Sequence, residues 1–248
     1  MNQSRRTRIF LKGLRIISRI ILKLMAKVHI EGYENIPPTG GAIVVTNHIG
    51  RLDAMLGVVL ADREDIIMMV AQKYEKNLFW RFMVKNLDAL WLNREEADFR
   101  TLRIVQKRLQ AGGILGMAPE GTRSKTESLN YGKPGAAYLA DKAQVPIIPI
   151  GLIGTEDRQV KANFKRLRRI RIHAKIGKPL HLPPVSRKTR DEDLQKNTEE
   201  IMCQIASLIP PSYRGVYADH PRVQQLLATA VSTQKPTNPQ ERKELGIG

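Results

Sequence analysis

The sequence predicts an α/β fold: a largely parallel sheet with helices on both faces, preceded by an N-terminal amphipathic helix. After Gly32, short apolar runs typical of buried strands alternate with helical patterns, and this repeated β-α-β order is typical of parallel sheets. The 248 residues suit one compact domain. We therefore expect the amphipathic helix at 1–28, the domain at 29–227 and a polar tail at 228–248, which lacks a core-forming pattern and is expected to be disordered.

The N-terminal segment, residues 1–28, contains no acidic residue. Its cations share one helical stripe, which comprises Arg5, Arg8, Lys12, Arg15, Arg19, Lys23 and Lys27. The opposite face is apolar and comprises Phe10, Leu14, Ile17, Ile21, Leu24 and Met25. No apolar run approaches the ~18 residues that span a bilayer, and no export signal is recognisable. Two placements remain open: the helix lies on an anionic membrane surface, or it packs its apolar face on the domain and leaves its cations in solvent.

The remaining elements follow in order along the chain. Strands are predicted at 41–46, 65–71, 89–93, 114–118 and 145–152, and helices at 52–60, 75–85, 97–110 and 135–143. Two prolines favour an irregular or edge position for the strand at 145–152, because proline donates no ladder hydrogen bond. Residues 169–176 alternate as a half-buried strand with a basic outer face, which fits a solvated edge or a binding surface. An amphipathic helix at 191–208 completes the domain.

The composition limits the classes of partner. A formal net charge of +17 and a pI near 10.2 indicate an anionic partner, such as nucleic acid, a lipid surface or an acidic protein. Aromatic residues make up only 5% of the chain and are not interleaved with the basic ones, which argues against nucleic acid. The single cysteine, Cys203, can form neither an internal disulfide nor a zinc cluster, so we expect a reducing compartment, no metal and no cofactor.

His48 stands at the carboxyl end of the predicted strand at 41–46, where ligands bind in open α/β sheets. An imidazole can accept a hydroxyl proton near neutral pH, and a carboxylate on its other ring nitrogen fixes the tautomer and stabilises the imidazolium. Asp53 is placed to supply that carboxylate across a tight turn. The same residues fit a second interpretation, in which His48 caps the following helix and Asp53 satisfies backbone donors.

A second polar turn follows the predicted strand at 114–118. Gly121 lets the backbone approach a ligand closely, and Arg123 can hold two phosphate oxygens at once. Thr122 and Ser124 add hydroxyl donors. The pattern is typical of a phosphate site, and a structural turn with a solvated arginine fits it as well.

Together the two motifs resemble the 1-acylglycerol-3-phosphate acyltransferase family over roughly residues 32–217. The family's NH-x4-D signature matches at Asn47, His48 and Asp53, and its PEGTRS signature matches without change at Pro119–Ser124. The order and separation of the two motifs make this pairing specific. Weaker similarity extends to three further blocks, at 87–94 with its terminal Arg94, at 145–150 and at 208–217.

The resemblance implies transfer of a fatty acyl group from a coenzyme A or acyl carrier protein thioester to the sn-2 hydroxyl of 1-acylglycerol-3-phosphate, giving phosphatidic acid without a covalent acyl-enzyme. By the same resemblance His48 is the general base and Asp53 orients it. The implied substrate-binding residues are Arg94, Glu120, Gly121, Thr122, Arg123 and Ser124. The expected partners are the thioester donor, a lysophospholipid acceptor and an anionic membrane surface, without nucleic acid. The enzyme is expected at the cytoplasmic face of the membrane, peripheral and monotopic.

Departures from the family pattern bear on the choice of acceptor. Gly50 stands where many members have serine, Ala118 replaces a frequent phenylalanine, and Asp88 and Asn93 alter the arginine block. Three alternatives remain open. The chain could be an acyltransferase of the same fold that acts on another lysophospholipid or an amino-acid lipid, a non-catalytic basic membrane adaptor, or a nucleic-acid binder.

Overall fold

The structure is a computed structural model that describes residues 4–60, 62–93 and 98–233. Within these residues the helices are α1 Arg5–Met25, α2 Leu52–Leu60, α3 Leu78–Leu87, α4 Phe99–Gln110, α5 Gly135–Ala143, α6 Asp157–Lys165, α7 Arg190–Ser207 and α8 Pro221–Thr233. The strands of the same residues are β1 Ala26–Glu31, β2 Ala42–Thr46, β3 Ile66–Ile67, β4 Met69–Ala71, β5 Leu90–Leu92, β6 Ile114–Met117, β7 Ile147–Ile153 and β8 Ile170–Ile176.

The central sheet contains six strands in the order β1-β8-β7-β2-β6-β3, and a separate small sheet pairs β4 with β5. Among the described strands every pairing is parallel except that of β7 with β8. The prediction of a largely parallel sheet is confirmed. Strands β7, β2 and β6 are neighbours that run in the same direction, so their carboxyl ends meet at one edge of the sheet.

Helices cover both faces of this sheet, as predicted. Ile43 and Val45 of β2 belong to a buried cluster on one face, together with residues of α4, α5, α7 and α8. Ala42 and Val44 contact the cluster on the other face, which contains residues of α1, α2 and α3. Successive side chains of a strand point to opposite faces, so β2 is covered on both sides. This burial explains why the predicted strands are continuous apolar runs.

The sequence favours an irregular or edge position for strand β7, and the edge alternative is wrong because β7 lies inside the sheet, between β8 and β2. Pro149 does not interrupt it because of the direction in which its nitrogen points. The Pro149 carbonyl accepts a hydrogen bond from the Gly177 N–H at 2.8 Å, on the side of β8. The nitrogen and the carbonyl of a strand residue point to the same side, so the Pro149 nitrogen, which has no proton to donate, faces β8. The pairing of β7 with β8 starts only at Ile150, so no ladder hydrogen bond is lost. The pairing of β7 with β2 continues past Pro149.

The predicted N-terminal helix, 1–28, ends earlier than expected. Helix α1 stops at Met25, and the chain continues from Ala26 as strand β1, which pairs in parallel with β8. Strand β8 alternates buried and exposed residues as predicted, but β1 covers its outer side, so β8 is not an edge. The helical spacing of cations continues to Lys27, and the long-range pairing with β8 overrides it.

Two further boundaries differ from the prediction. The predicted strand at 65–71 is divided into β3 and β4, which belong to different sheets. The predicted start of the polar tail, at 228, falls inside α8, and residues 234–248 lie outside the described residues. By contrast, the helices predicted at 52–60 and 135–143 coincide with α2 and α5.

Helix α1 packs on the domain through a narrow face that contains Thr7, Leu11, Arg15, Ser18 and Leu22. Arg15 is buried, and its guanidinium donates to the carbonyl oxygen of Arg63 at 2.7 Å and to that of Val58 at 3.3 Å. It also lies 3.3 Å from Asp62 Oδ1. Arg15 therefore anchors α1 to the loop that follows α2.

The basic and apolar residues of α1 differ from the predicted packing, in which the apolar face contacts the domain and the cations lie in solvent. Lys12 lies 2.8 Å from Glu64, and Arg19 lies 3.1 Å from Asp62, so the basic stripe meets acidic residues of the domain. The predicted apolar face is divided: Phe10 and Leu14 pack partly buried against the core, whereas Ile17 and Leu24 are more than half exposed. Ile9, Ile16 and Ile20 of α1 are also more than half exposed. The helix therefore packs on the domain through part of its apolar face and leaves the rest exposed. No helix in the described part of the chain combines the length and apolar composition needed to cross a membrane.

The substitution Arg15→Ala should lower the free energy of unfolding by about 2 kcal/mol, because it leaves buried carbonyl oxygens without their charged donor. Arg19→Ala removes an exposed pair with the same aspartate and should cost less than about 1 kcal/mol. Urea unfolding of the two variants measures the difference. Equal losses would contradict the anchoring role of Arg15.

Candidate active site

The carboxyl end of β2 carries Asn47 and His48 to the edge where β7, β2 and β6 end. The side chain of Asn47 is buried and extends the pairing between β2 and β7. Its Nδ2 donates to the carbonyl oxygen of Leu152 at 2.8 Å, and its Oδ1 accepts from the Leu152 N–H at 2.8 Å. These two bonds fix the backbone immediately before His48.

Asp53 holds the ring of His48. Its Oδ2 lies 2.8 Å from His48 Nδ1 and accepts the backbone N–H groups of Ile49 at 2.9 Å and Gly50 at 3.0 Å. The carboxylate is buried in the first turn of α2, where the helix dipole favours an anion. An ionised carboxylate only accepts hydrogen bonds, so this pairing favours the tautomer that has its proton on Nδ1 and its lone pair on Nε2.

The His48 side chain is 29% exposed, which gives a ligand access to the ring. One oxygen of Asp53 lies against this ring and also accepts backbone N–H groups, so the ring contact and the backbone role expected of Asp53 occur together. The pair can accept a proton at Nε2 and stabilise the imidazolium that results.

Glu120 is buried and joins the two motifs. Its Oε1 accepts the His48 N–H at 3.0 Å, and its Oε2 accepts the N–H and Nδ2 of Asn130 at 3.1 and 3.3 Å. Desolvation raises the pKa of the Glu120 carboxyl, and the hydrogen bonds from His48 and Asn130 oppose that shift. Both oxygens are therefore engaged by the protein itself.

The Pro119–Ser124 turn packs directly on the loop that contains His48. The Ser124 N–H donates to the His48 carbonyl at 2.8 Å, and the Ser124 hydroxyl donates to the Ser128 carbonyl at 2.7 Å. Gly121 has a φ of 71°, and a Cβ at this position would lie 3.1 Å from Cδ of Lys133. The left-handed φ at Gly121 disfavours any residue with a Cβ, and an added Cβ would also require the Lys133 side chain to shift.

Arg123 lies at the outer side of this turn, where its Nη1 is 3.2 Å from Asp157 Oδ2 at the start of α6. The same carboxylate accepts the Arg51 N–H at 3.0 Å and lies 3.6 Å from Arg51 Nε. Thr122 is exposed beside Arg123. Arg94 lies outside the described residues. The structure thus brings His48, Asp53 and the Pro119–Ser124 turn to one edge of the sheet.

Three charged residues at this edge were not among the predicted site residues: Arg51, Lys133 and Asp157. Asp157 follows the carboxyl end of β7, a position at which α/β proteins bind ligands, and that rule was a usable signal. Arg51 lies inside the NH-x4-D loop itself. Lys133 lies at the site because its backbone N–H donates to the Pro119 carbonyl at 2.8 Å. No local sequence pattern predicts this contact.

The structure explains one departure from the family pattern. A Cβ on Gly50 would lie 1.7 Å from the carbonyl oxygen of Thr155, so serine does not fit at this position in this chain. The turn that contains Thr155 is held by Glu156, which is buried and accepts the Tyr213 hydroxyl and, at 3.3 Å, the Gly154 N–H. Burial and the neighbouring Glu156 raise the pKa of Tyr213 to about 12, so its hydroxyl stays protonated as the donor.

A model of the acyltransferase family matches residues 27–153, which include both motifs and the strands from β1 to β7. The chain belongs to this family. It is therefore an enzyme of the acyltransferase class, and the resemblance drawn from the two motifs is confirmed.

Three similar proteins carry more specific names. The 1-acyl-sn-glycerol-3-phosphate acyltransferase of Bacillus subtilis (strain 168) is 27% identical over 191 residues, which cover 77% of this chain and 92% of that protein. The 1-acyl-sn-glycerol-3-phosphate acyltransferase alpha of Mus musculus is 31% identical over 171 residues, which cover 64% of this chain and 55% of that protein. The crystal structure of the 1-acyl-sn-glycerophosphate (LPA) acyltransferase PlsC from Thermotoga maritima has a TM-score of 0.60, with 25% identity and 81% of each chain covered.

The substitution Gly50→Ser should reduce acyl transfer by roughly 10²-fold, because the added Cβ displaces either the Thr155 turn or the loop that holds His48 and Asp53. Gly57→Ala is a matched control in α2, where an added Cβ meets nothing within 4 Å. The control should retain activity and gain up to about 1 kcal/mol of stability. Thioester turnover and melting temperature test both, and full activity of the serine variant would contradict the close packing.

Proposed function

We propose that this acyltransferase moves a fatty acyl group from a coenzyme A or acyl carrier protein thioester to the sn-2 hydroxyl of 1-acylglycerol-3-phosphate, giving phosphatidic acid. The observation that carries the proposal is the His48 ring, held at Nδ1 by buried Asp53 and partly exposed beside the Arg123 turn. The names of the similar proteins support the same acceptor. A base next to a guanidinium suits an acceptor that carries both a hydroxyl and a phosphate.

The chemical step needs only one proton relay. Nε2 of His48 takes the proton of the acceptor hydroxyl while the hydroxyl oxygen attacks the thioester carbonyl carbon. The tetrahedral intermediate collapses with cleavage of the carbon–sulfur bond, and the departing thiolate takes the proton back from the imidazolium. Asp53 stabilises the imidazolium between these two transfers. A thioester is already activated, so positioning and deprotonation are sufficient and no acyl-enzyme forms.

The acceptor phosphate is assigned to the Arg123 side of the site. Arg123 supplies a guanidinium that is 38% exposed, and the left-handed Gly121 brings backbone close to a bound anion. Arg94 is proposed as a second phosphate ligand on the family resemblance alone. Glu120 and Ser124 act indirectly in this scheme, because their side chains hold the loops that carry His48 and Arg123.

The substitution His48→Ala should reduce acyl transfer by about 10²- to 10⁴-fold without unfolding the protein, because a positioned general base is lost. Asp53→Asn should also be severe, since an amide does not stabilise the imidazolium and can favour the wrong tautomer. Release of free thiol from acyl-coenzyme A and acyl carrier protein thioesters measures the rate, and circular dichroism checks the fold.

A panel of acceptors separates the proposed reaction from its alternatives. Wild-type protein should acylate 1-acylglycerol-3-phosphate faster than lysophospholipids with larger head groups or amino-acid lipids. If the enzyme prefers one of those lipids, the proposed acceptor is wrong but the proposed mechanism still applies. Near-normal turnover by a folded His48→Ala variant would remove His48 from the mechanism, and failure to consume thioester with any acceptor would favour a non-catalytic adaptor.

We further propose that the enzyme works at the cytoplasmic face of a membrane, with the open face of α1 on an anionic lipid surface. The exposed apolar side chains of α1 continue onto α3, where Leu78, Phe79 and Phe82 are more than half exposed. Phe10 of α1 packs edge-on against Phe82, with ring centroids 5.6 Å apart, so the two helices share one apolar surface. Acidic residues of the domain already pair with Lys12 and Arg19. Burial of apolar side chains in the lipid should therefore contribute more to membrane binding by α1 than its charges do.

The double substitution of Ile16 and Ile20 by serine should weaken binding to anionic liposomes by about tenfold or more, since it removes two apolar side chains from the interface. Serine at Phe164, near the end of α6, and at Leu167, just after α6, is the matched control, because both side chains are at least as exposed as Ile16 and Ile20. Co-sedimentation at low and moderate salt is the measurement, and the loss should persist at the higher salt. If only the control pair loses binding, the membrane contact lies in the basic stretch at 161–175 instead.

A further inference from the structure

Arg51 and Arg123 converge on one carboxylate at the mouth of the site. Arg51 Nε lies 3.6 Å and Arg123 Nη1 lies 3.2 Å from the same oxygen, Asp157 Oδ2. The Arg51 backbone N–H donates to the other oxygen, Oδ1, at 3.0 Å. Arg51 comes from the loop after β2, Arg123 from the turn after β6, and Asp157 from the end of β7. Three neighbouring strand ends therefore contribute one charged group each.

The cluster carries a net charge of about +1 beside the catalytic pair, because two guanidiniums share one carboxylate. Arg51 is 80% exposed, and its ion pair faces only one edge of a guanidinium that has five N–H donors. Arg123 is also partly exposed. Exposed ion pairs of this kind contribute little to stability, so a stronger anion can engage both guanidiniums at small cost.

The backbone of Arg51 is held in place even though its side chain is exposed. Its N–H is bound to Asp157, and the preceding Gly50 packs against Thr155 in the turn that leads to α6. Asp157 is the first residue of α6, where the helix dipole favours a negative charge. Asp157 thus keeps both arginines within reach of one ligand. Arg51 follows His48 by three residues, so this ligand would lie beside the catalytic pair.

We propose that Arg51 and Arg123 form a two-arginine clamp for the acceptor phosphate and that Arg51 selects a terminal phosphomonoester over a phosphodiester head group. The selection rests on the proposed function, since the clamp acts on the same acceptor. A phosphomonoester carries about −1.5 to −2 charge near pH 7 and presents three terminal oxygens, which two guanidinium forks can share. A phosphodiester carries one charge on two oxygens. Asp157 repels both anions, and only the more highly charged one engages both arginines strongly enough to offset that repulsion.

Arg51→Ala tests the clamp, with Arg158→Ala as the matched control. Arg158 lies in the first turn of α6, is 81% exposed and pairs with Glu127. Its loss therefore reports any general effect of removing one surface charge. Arg51→Ala should raise KM for 1-acylglycerol-3-phosphate about tenfold and leave KM for a phosphodiester lysolipid within about twofold. Arg51→Lys should restore the affinity only in part, because an ammonium has no fork. The control should match wild type on both acceptors.

Binding of sn-glycerol 3-phosphate, measured by calorimetry on the whole protein, separates this proposal from the reaction itself. It should be weakened by Arg51→Ala and by Arg123→Ala, and unaffected by Arg158→Ala. If wild type does not acylate 1-acylglycerol-3-phosphate yet binds glycerol 3-phosphate through Arg51, the result supports the clamp and contradicts the proposed reaction. If Arg51→Ala behaves like the control, or changes both acceptors by the same factor, the clamp is wrong and the reaction is untouched.

Discussion

The shared direction of β7, β2 and β6 is the constraint on which the candidate site depends. Parallel neighbours place three carboxyl ends at one edge, whereas antiparallel neighbours would send alternate ends to opposite edges. The loops at this edge are then tied to one another through buried polar side chains. Asn47 joins the end of β2 to β7, and Glu120 joins the turn after β6 to the His48 N–H. Rigid strand ends therefore carry the exposed residues of the candidate site.

Three carboxylates near this rim have different roles because their surroundings differ. Asp53 is buried and receives three hydrogen bonds on one oxygen, so it holds a ring and a loop together. Glu120 is buried between the two motifs, and its raised pKa reflects the cost of placing charge there. Asp157 is partly exposed between two arginines, where its charge is shared and screened. Burial and donor count, more than residue type, decide what each carboxylate does.

The same balance applies to the proposed membrane surface. The net charge of +17 attracts anionic lipid over a distance near the Debye length, about 8 Å at physiological salt. The apolar side chains of α1 and α3 act only on contact and are insensitive to salt. Lys12 and Arg19 already meet acidic residues of the domain, while several large apolar side chains of α1 remain exposed. In the proposed docking, charge brings the enzyme to the lipid and apolar contact retains it.

The sequence alone determined the α/β class, the bounds of α2 and α5, and the two motifs of the candidate site, because periodicity and motif spacing are local properties. His48 and Asp53 are five residues apart, so their contact could be predicted. Three features depend on partners distant in sequence: the strand β1, the interior position of β7 despite Pro149, and the division of the apolar face of α1 into packed and exposed parts. Arg51 and Asp157 are likewise joined across 106 residues. Only the tertiary structure could decide these contacts, because side-chain spacing along the chain carries no information on which strands become neighbours.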